Sequence, residues 1–298
     1  MEKIKQLAII GSTASGKTSL AVKVAKKNNA HILSLDSLSI YKEIDIVSAK
    51  PSMEEQKEIK HFGIDVISPN EAFDVTTFIQ LYQEVYQKCM EEEKDLVIVG
   101  GTSFYLKMLC EGVSELPTIS KKYKDETSKL LNNLPKAYLL LQNIDPEYMH
   151  KIDPNDTYRI EKALHIYLET KQSPSAYFKA HPPKATIVSN LSIYQIEWER
   201  EILRKRIALR TKLMLKQGLI DEICKLEQQY TRKPNCMKAI GIKETLSYLD
   251  GLYTKSEMIE KITTNTARLA KRQKTFNNSQ FKNVVKGSVE NLEKMLLA

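Results

Sequence analysis

Glycine and proline are scarce in this chain, with ten of each in 298 residues. That frequency argues against a long disordered segment, because such segments are usually rich in one or both residues. No apolar run approaches the roughly 20 residues that span a bilayer. The N-terminal sequence MEKIKQLAIIGS runs into a glycine-containing loop without a small-residue cleavage site, which is atypical of a signal peptide. We therefore expect a cytoplasmic protein with no membrane partner.

Cysteine is also sparse, and its spacing excludes two common uses. No CxxC pair and no spacing typical of metal ligands is present among the four residues, which are Cys89, Cys110, Cys224 and Cys236. This pattern argues against both a structural zinc site and a disulfide framework. We interpret the cysteines as packed thiols in a reducing compartment.

Charge is the first positive signal. The formal net charge is +8 and the pI is near 9.0. A basic balance fits a polyanionic partner such as RNA. Many soluble proteins are basic without such a partner, so the charge alone does not decide the question.

Short apolar runs alternate with amphipathic segments in the first part of the chain. Four runs predict strands: residues 7–10 (LAII), 31–35 (HILSL), 63–67 (GIDVI) and 96–99 (LVIV). Helical spacing in residues 18–27 and 77–90 lies between them. Strands that alternate with helices predict an α/β fold with a parallel sheet and right-handed crossovers.

The segment Gly11–Thr18, GSTASGKT, matches the pattern GxxxxGK[ST] in full, between a predicted strand and a predicted helix. Its glycines let backbone N–H groups surround phosphate oxygens at a helix N-terminus. Lys17 supplies a positive charge and Thr18 a hydroxyl ligand for Mg²⁺. We therefore predict a P-loop NTPase-like core that binds a phosphate chain. The motif leaves open which compound carries that chain and whether ATP ever occupies the loop.

Two residues beyond the loop are candidates for chemistry. A P-loop ATPase usually holds Mg²⁺ with an aspartate at the end of a second strand. Here the LVIV strand runs into Gly-Gly-Thr, ending at Thr102, whereas the HILSL strand leads to Asp36. Ligands bind at the carboxyl ends of parallel strands, so Asp36 and Thr102 are expected above the loop. Asp36 is a candidate base or metal ligand.

Simpler roles remain open for these residues. Asp36 is also suited to cap a helix over residues 37–42, a common use of aspartate. Thr102 is likewise suited to a simple cap, and Lys50 to a solvated surface position.

The rest of the chain is mostly helical. Residues 118–180 lack β-rich apolar runs and predict a helical insertion that closes at residues 181–183. Residues 191–198 predict a returning strand, and helices are predicted over 199–217, 219–229, 241–249 and 255–276. Two of these helices carry basic faces: Arg206 and Arg210 in one, Arg268, Lys271 and Arg272 in the other. A solvated surface is the ordinary explanation of such faces, so they do not establish RNA binding.

Several segments together resemble the tRNA dimethylallyltransferase (tRNA isopentenyltransferase) family. Gly11–Thr18 is similar to the family's GPTASGKT loop, Leu35–Pro51 to its VDS…IYKGMDIGTAKP segment, and Gly100–Gly112 to its GGTxxYxKALLEG segment. Three further matches are Asp153–Arg159 with HPNDxxR, Ile240–Gly251 with IGYKE…YLxG, and Ala270–Phe276 with AKRQxTW. The loop alone is common, but the ordered set is specific for the short bacterial type of this family.

The resemblance implies a reaction and a catalytic site. A dimethylallyl group would pass from dimethylallyl diphosphate to N6 of the adenosine 3′-adjacent to the anticodon in tRNA, with release of diphosphate. Asp36 would accept the proton of the amine, and Thr102 would help to place the diphosphate. Mg²⁺ would bind through Thr18. The implied diphosphate-binding or nucleotide-binding residues are Gly11, Ser12, Thr13, Ala14, Ser15, Gly16, Lys17, Thr18 and Arg210.

The resemblance also implies domains and RNA contacts. Residues 1–114 and 190–298 would form the P-loop core with C-terminal helices, and residues 115–189 a helical insertion that grips the anticodon stem-loop. The implied tRNA-binding residues are Asp36, Ser37, Leu38, Ser39, Tyr158, Arg159, Ile160, Glu161, Lys162, Lys238, Ala239, Ile240, Gly241, Ile242 and Lys243. A monomer is expected on the same ground.

This chain departs from the family pattern at several positions. Glu43 and Val47 replace glycines, and Ser39 stands where many members have a glutamine that contacts RNA. Ala267 replaces an arginine, and Phe276 a tryptophan.

Two other functions stay open: a small-molecule kinase that uses ATP, and an RNA-binding ATPase module without transferase activity.

Overall fold

The computed structural model describes residues 4–187 and 191–298, which form two compact units. The first unit comprises the described residues up to Met108 and those from Ile187 onward; the second is Leu109–Thr186. The sequence predicts this division at 114/115 and 189/190, and the second of these boundaries lies outside the described residues. None of the described helices is long and apolar enough to cross a bilayer.

The first unit is built on a parallel sheet. Its strands are β1 Gln6–Gly11, β2 Ala30–Ser34, β3 His61–Phe62, β4 Asp95–Gly100, β5 Ser192–Ile196 and β6 Val284–Gly287. They lie in the order β3-β2-β4-β1-β5-β6, and every neighbouring pair is parallel. The near-continuous apolar runs of β1 and β4 suit strands covered on both faces. The parallel sheet expected from the alternating pattern is therefore present.

Helices cover this sheet and fill the second unit. The helices between β1 and the second unit are α1 Lys17–Lys27, α2 Met53–Glu58, α3 Val75–Glu91 and α4 Ser103–Glu111. The second unit holds α5 Lys121–Leu131, α6 Leu134–Ile144, α7 Pro146–Met149, α8 Thr157–Thr170 and α9 Pro174–Ala180. After β5 come α10 Arg200–Gln217, α11 Leu219–Tyr230, a 3₁₀ turn Asn235–Lys238, α12 Ile242–Leu249, α13 Lys255–Gln280 and α14 Val289–Leu297.

Two apolar clusters organise the first unit. One packs α1 and α14 against the sheet, through residues such as Leu20, Ile32 and Leu292. The other joins the segment after β2, represented by Ile40 and Ile44, to helices α10–α13. The second cluster fixes the segment that follows Asp36, because its apolar side chains are buried among these helices.

The predicted secondary structure needs correction in two places. The third strand is His61–Phe62 rather than 63–67, because Gly63 and Asp65 take left-handed φ values of 76° and 54°, which end the extended chain. The chain after α13 continues as β6 and α14, which were not predicted. β6 has only four residues, and apolar and polar residues do not alternate along it, so the sequence pattern that would predict a strand is weak.

Gly100 lies at the closest backbone approach between β4 and the end of β2. A Cβ atom there would lie 2.5 Å from both the Cβ and the carbonyl oxygen of Leu35. Backbone hydrogen bonds hold this approach on both sides: Leu35 N donates to Val99 O at 2.7 Å, and Thr102 N donates to Leu35 O at 3.0 Å. Only glycine fits, and the contact sets the positions of the two residues that follow, Asp36 and Thr102.

Gly100→Ala should therefore lower the free energy of unfolding by about 2 kcal/mol or more, since backbone must move to admit the methyl group. Urea unfolding measures the change. Gly251→Ala is the matched control: nothing lies within 4 Å of its Cβ position, and only its φ of 74° is unfavourable. Equal unfolding midpoints for the two variants would show that the Gly100 contact is relaxed in solution.

Candidate active site

The phosphate loop joins β1 to α1. Gly16 has a φ of 91° and Ala14 a φ of 61°, so the chain turns sharply between Gly11 and the helix that begins at Lys17. Lys17 Nζ donates to Ser12 O at 2.8 Å. A small cavity opens here, lined by Thr13, Lys17, Thr18 and other residues. The predicted P-loop therefore has the conformation and the open space that a phosphate chain needs.

Two cations lie beside this loop. The pKa of Lys17 is lowered to about 8, mainly by burial and further by the charge of Arg210, while Asp36 acts in the opposite direction. Burial also lowers the pKa of Arg210, again with Asp36 opposing the shift. An anion bound between the two cations would relieve their repulsion, so the site favours a polyanionic ligand.

Arg210 and Gln273 contact Thr13 from opposite sides. Arg210 extends from α10 and donates to Thr13 Oγ1 at 3.1 Å and to Ser48 O at 3.3 Å. Gln273, on α13, accepts from Thr13 N at 2.9 Å and donates to Gly101 O at 3.0 Å. The phosphate loop and the Gly-Gly-Thr turn are thereby linked. No role was predicted for Gln273, whose only signal was its place in the AKRQ segment.

Asp36 lies two residues beyond the end of β2. Its Oδ1 accepts from Leu38 N at 2.8 Å and from Ser39 N at 3.1 Å. Residues 37–42 form turns, so the helix-cap alternative is wrong as stated, although the same oxygen caps the turn. All hydrogen bonds that the described residues make to this carboxylate involve Oδ1. Oδ2 is the oxygen left for a substrate.

A second, larger cavity of about 460 Å³ adjoins the loop. Its wall is largely apolar, with Tyr41, Phe73, Tyr105, Met214 and Leu269 among the lining residues. Burial, with nearby acidic groups, raises the pKa of Tyr105 to about 12. No role was predicted for these aromatic residues. Tyr41 and Tyr105 lie in the IYK and GGTxxY motifs, whereas Phe73 lies in no motif.

The two cavities share part of their lining. Both are bordered by Thr13, Asp36, Ser48, Arg210 and Gln273. Thr102 borders the larger one, and its Oγ1 accepts from Ser37 N at 3.3 Å. The structure thus brings together Lys17, Thr18, Asp36, Thr102 and Arg210, as the sequence predicted.

The residues of the small cavity suit a divalent metal that is coordinated jointly by the protein and by a bound phosphate. The described part of the chain holds no group of three or more His, Cys, Asp or Glu residues arranged for a metal. Mg²⁺ is usually held by one or two protein oxygens together with substrate phosphates and water. Thr18 and Asp36 supply oxygen atoms to the same cavity. These residues suit Mg²⁺ bound with a diphosphate, and not a metal held by protein alone.

Comparison with known proteins decides the family. A family model described as IPP transferase matches residues 39–280. Over 296 residues, the chain is 67% identical to a tRNA dimethylallyltransferase of Sulfurovum sp. (strain NBC37-1). The aligned residues are 99% of this chain and 98% of that protein. The chain belongs to the IPP transferase family.

Solved structures of similar proteins agree with this assignment. A full-length tRNA isopentenylpyrophosphate transferase of Bacillus halodurans shares 31% identity, with a TM-score of 0.71 over 99% of this chain and 96% of that one. A eukaryotic dimethylallyltransferase acting on tRNA shares 24% identity, with a TM-score of 0.83 over 95% of this chain and 74% of that one, which shows the fold alone. The predicted family and the predicted P-loop α/β core are both confirmed.

The structure shows the surroundings of three positions at which this IPP transferase departs from the family pattern. Glu43 takes a φ of 64°, the left-handed conformation that glycine adopts freely, and Tyr230 donates a hydrogen bond to its carboxylate at 2.6 Å. A Cβ atom at Gly241 would lie 2.4 Å from the Val47 side chain, so Val47 fills space that depends on Gly241. Ser39 is buried and lines the small cavity.

Lys50 is not solvated, which excludes the alternative considered for it. Its side chain is 5% exposed and forms ion pairs with Asp45 at 2.5 Å and Asp65 at 2.6 Å. It also donates to Tyr41 O at 2.8 Å. Lys50 therefore fixes the segment after Asp36.

The predicted RNA contacts divide into accessible and buried groups. Lys238, Ala239, Ile240 and Gly241 line the larger cavity, and Lys243 is exposed beside Glu244. Ile242 is fully buried, so a contact through its side chain is excluded. This correction follows from the apolar face of α12, which packs into the core.

In the second unit the same division holds along α8. Tyr158 is 61% exposed, with the Lys162 ammonium 5.3 Å from its ring centroid. Arg159 pairs with Asp156 at 2.5 Å, and Glu161 is half-buried. Ile160 is fully buried in the core of this unit, which excludes a side-chain contact and corrects its predicted role.

Glu222, on α11, binds the backbone of the segment that carries Asp36. Its carboxylate accepts from three consecutive N–H groups, of Asp45, Ile46 and Val47, at 2.9, 2.7 and 3.0 Å. Arg210 donates to Ser48 O just beyond them. The segment is thereby tied to both α10 and α11.

Glu222→Gln should lower the free energy of unfolding by about 2 kcal/mol, because an amide offers one acceptor oxygen where the carboxylate offers two. Chemical denaturation measures the loss. Asp221→Asn removes the same charge from the same helical turn, and we expect it to change stability little. Equal losses in the two variants would assign the effect to charge at the helix N-terminus.

Proposed function

We propose that this IPP transferase moves a dimethylallyl group from dimethylallyl diphosphate to N6 of the adenosine 3′-adjacent to the anticodon of tRNA, with release of diphosphate. The observation that carries the proposal is the shared border of the two cavities. Asp36 lies between a cationic phosphate cradle and a larger, mostly apolar space. Two substrates, one in each cavity, could therefore both reach the carboxylate of Asp36. The relative from Sulfurovum, named a tRNA dimethylallyltransferase, supports the same reaction.

The small cavity would hold the diphosphate of the donor. Breaking the bond between the prenyl carbon and its oxygen leaves negative charge on the diphosphate. Lys17 and Arg210 are positioned to stabilise that charge, because both lie at the cradle and already repel each other there. Mg²⁺, held through Thr18, would add further positive charge at the phosphates when bound.

The larger cavity would receive the adenine. The target base lies within a stacked loop, so it must be extruded to reach a partly buried carboxylate in this cavity. Thr102 is positioned to orient the reacting groups from the same border. As N6 bonds to the prenyl carbon, Asp36 Oδ2 would accept the proton that N6 loses. The apolar wall would limit hydrolysis of the donor by excluding water.

Basic residues in the described chain support an RNA partner. No acidic residue occurs between Glu260 and Glu290. The bases in this stretch are Lys261, Arg268, Lys271, Arg272, Lys274, Lys282 and Lys286. We assign the anticodon stem-loop as the RNA element, residues 115–189 as its helical grip, and a cytoplasmic monomer as the active form. Tyr158 and Lys162 offer one exposed aromatic and basic contact in that grip.

The direct test incubates the protein with labelled dimethylallyl diphosphate, Mg²⁺ and unmodified tRNA. Label should pass to tRNA with equimolar release of diphosphate, and transfer should stop when EDTA removes the metal. Transfer to a small metabolite from ATP, without dependence on RNA, would favour the kinase alternative. Tight tRNA binding without any labelled product would favour the RNA-binding ATPase module.

Asp36→Asn should lower the single-turnover rate by a factor of about 10² to 10⁴, the range for loss of a general base. The asparagine keeps an acceptor oxygen for the turn at Leu38 and Ser39 but cannot take a proton at neutral pH. The affinity for tRNA should stay within about twofold, because Asp36 is one of many expected tRNA contacts and asparagine still accepts a hydrogen bond. Asp221→Asn, at an exposed position of α11, is the control. A near-normal rate in Asp36→Asn would remove Asp36 from the base role.

A further inference from the structure

Three carbonyl groups of the phosphate loop accept hydrogen bonds from side chains. Ser12 O accepts from Lys17 Nζ at 2.8 Å, within the loop itself. The other two partners come from outside the loop: Arg206 Nε donates to Ala14 O at 2.8 Å, and Trp198 Nε1 donates to Ser15 O at 2.8 Å. Neither outside residue was given a role by the predicted chemistry.

Arg206 and Trp198 also contact each other. The guanidinium carbon of Arg206 lies 4.7 Å from the centroid of the indole ring, within the range of a cation–π interaction. Trp198 follows β5 closely, and Arg206 lies in α10 one turn before Arg210. The two side chains therefore act as a unit that connects the β5–α10 region to the loop.

This unit is on the outer side of the loop. Neither Trp198 nor Arg206 lines the small or the larger cavity. Their hydrogen bonds engage carbonyl oxygens, which would repel a phosphate if they turned inward. Holding these oxygens outward leaves the loop N–H groups free to face the anion.

One of the two bonds falls on a strained residue. Ala14 has a φ of 61°, a left-handed conformation that costs a non-glycine residue about 1 kcal/mol or more. Surrounding contacts must maintain such a conformation, and the Arg206 bond is made to the carbonyl of that residue. A loop already held in its binding conformation needs less ordering when the ligand arrives.

We propose that Trp198 and Arg206 form a clamp that holds the phosphate loop in its diphosphate-binding conformation and thereby sets the affinity for the prenyl diphosphate. They are positioning residues and make no contact with the donor. The identity of the anion rests on the function proposed above, whereas the effect on the loop does not.

Direct phosphate binding by Arg206 would have a different effect on pyrophosphate affinity when Arg206 is replaced. If Arg206 instead bound a phosphate directly, a lysine would keep the charge and much of the affinity. The clamp requires the planar guanidinium, which both stacks on the indole and donates through Nε. Arg206→Lys therefore separates the two roles.

The experiment uses the full-length protein and four variants. Trp198→Phe keeps an aromatic ring but removes the indole N–H, and Trp198→Leu removes both the ring and the N–H. Arg206→Lys keeps the positive charge but removes the planar guanidinium. Arg204→Lys, on an exposed turn of the same helix, is the matched control. Calorimetric titration with inorganic pyrophosphate gives the loop's affinity, and steady-state kinetics gives kcat and the KM of each substrate. Circular dichroism checks that each variant is folded.

We expect Trp198→Phe to weaken pyrophosphate binding and raise the donor KM about fivefold, as for one lost hydrogen bond. Trp198→Leu and Arg206→Lys should each lose about tenfold or more, since a stacking contact goes as well. The kcat and the KM for tRNA should stay within about twofold, and the control should match the wild type.

Unchanged pyrophosphate affinity in the folded Trp198 and Arg206 variants would overturn the clamp. Retention of pyrophosphate affinity in Arg206→Lys alone would also overturn it, because Arg206 would then be a direct ligand. Parallel losses in kcat and in tRNA affinity would overturn it too, because they would indicate general damage. If the wild type transfers no prenyl group to tRNA but the pyrophosphate pattern holds, the proposed reaction fails and the clamp stands.

Discussion

Two partly buried cations, Lys17 and Arg210, share the mouth of one loop, and the rest of the site surrounds them. Without an anion, burial disfavours both charges and repulsion from Arg210 further disfavours that of Lys17, which is why the pKa of Lys17 is lowered to about 8. Carbonyl and hydroxyl groups of Ser12, Thr13 and Ser48 hold the two side chains in place meanwhile. A diphosphate that enters the loop replaces this repulsion with attraction, so the electrostatic stabilisation is greatest when negative charge is concentrated there.

A parallel sheet makes this arrangement possible. The phosphate loop, the segment after β2 and the turn after β4 all leave the same edge of the sheet, because the strands run in one direction. Gly100 lets the last two approach so closely that Asp36 and Thr102 border one cavity. The helices that follow β5 then add Arg210 and Gln273 from above. The candidate site residues are therefore placed by strand polarity and helix packing, and not by their separation in the sequence.

The segment from Asp36 to Lys50 shows how much packing a short loop needs. It contains no helix, yet its position is set by Glu222 on α11, by Lys50 with its two aspartates, and by apolar side chains buried against α10–α13. Glu43 keeps a left-handed turn without glycine, because neighbouring contacts maintain it. The carboxylate at its start, the proposed base, is therefore held by packing and hydrogen bonds without belonging to a regular element.

The sequence by itself determined the phosphate loop and the alternation of strands and helices, and it predicted Asp36, Thr102 and Arg210 as site residues. These features are local: a fixed spacing in the loop, periodic apolar residues, and ordered family motifs. Only the tertiary structure decided that Gln273 joins two loops, that Lys50 is paired, that Ile160 and Ile242 are buried, and that β6 completes the sheet. Most of those outcomes depend on contacts between residues far apart in the sequence, such as the 260 positions between Thr13 and Gln273. No local pattern encodes which distant side chains pack together.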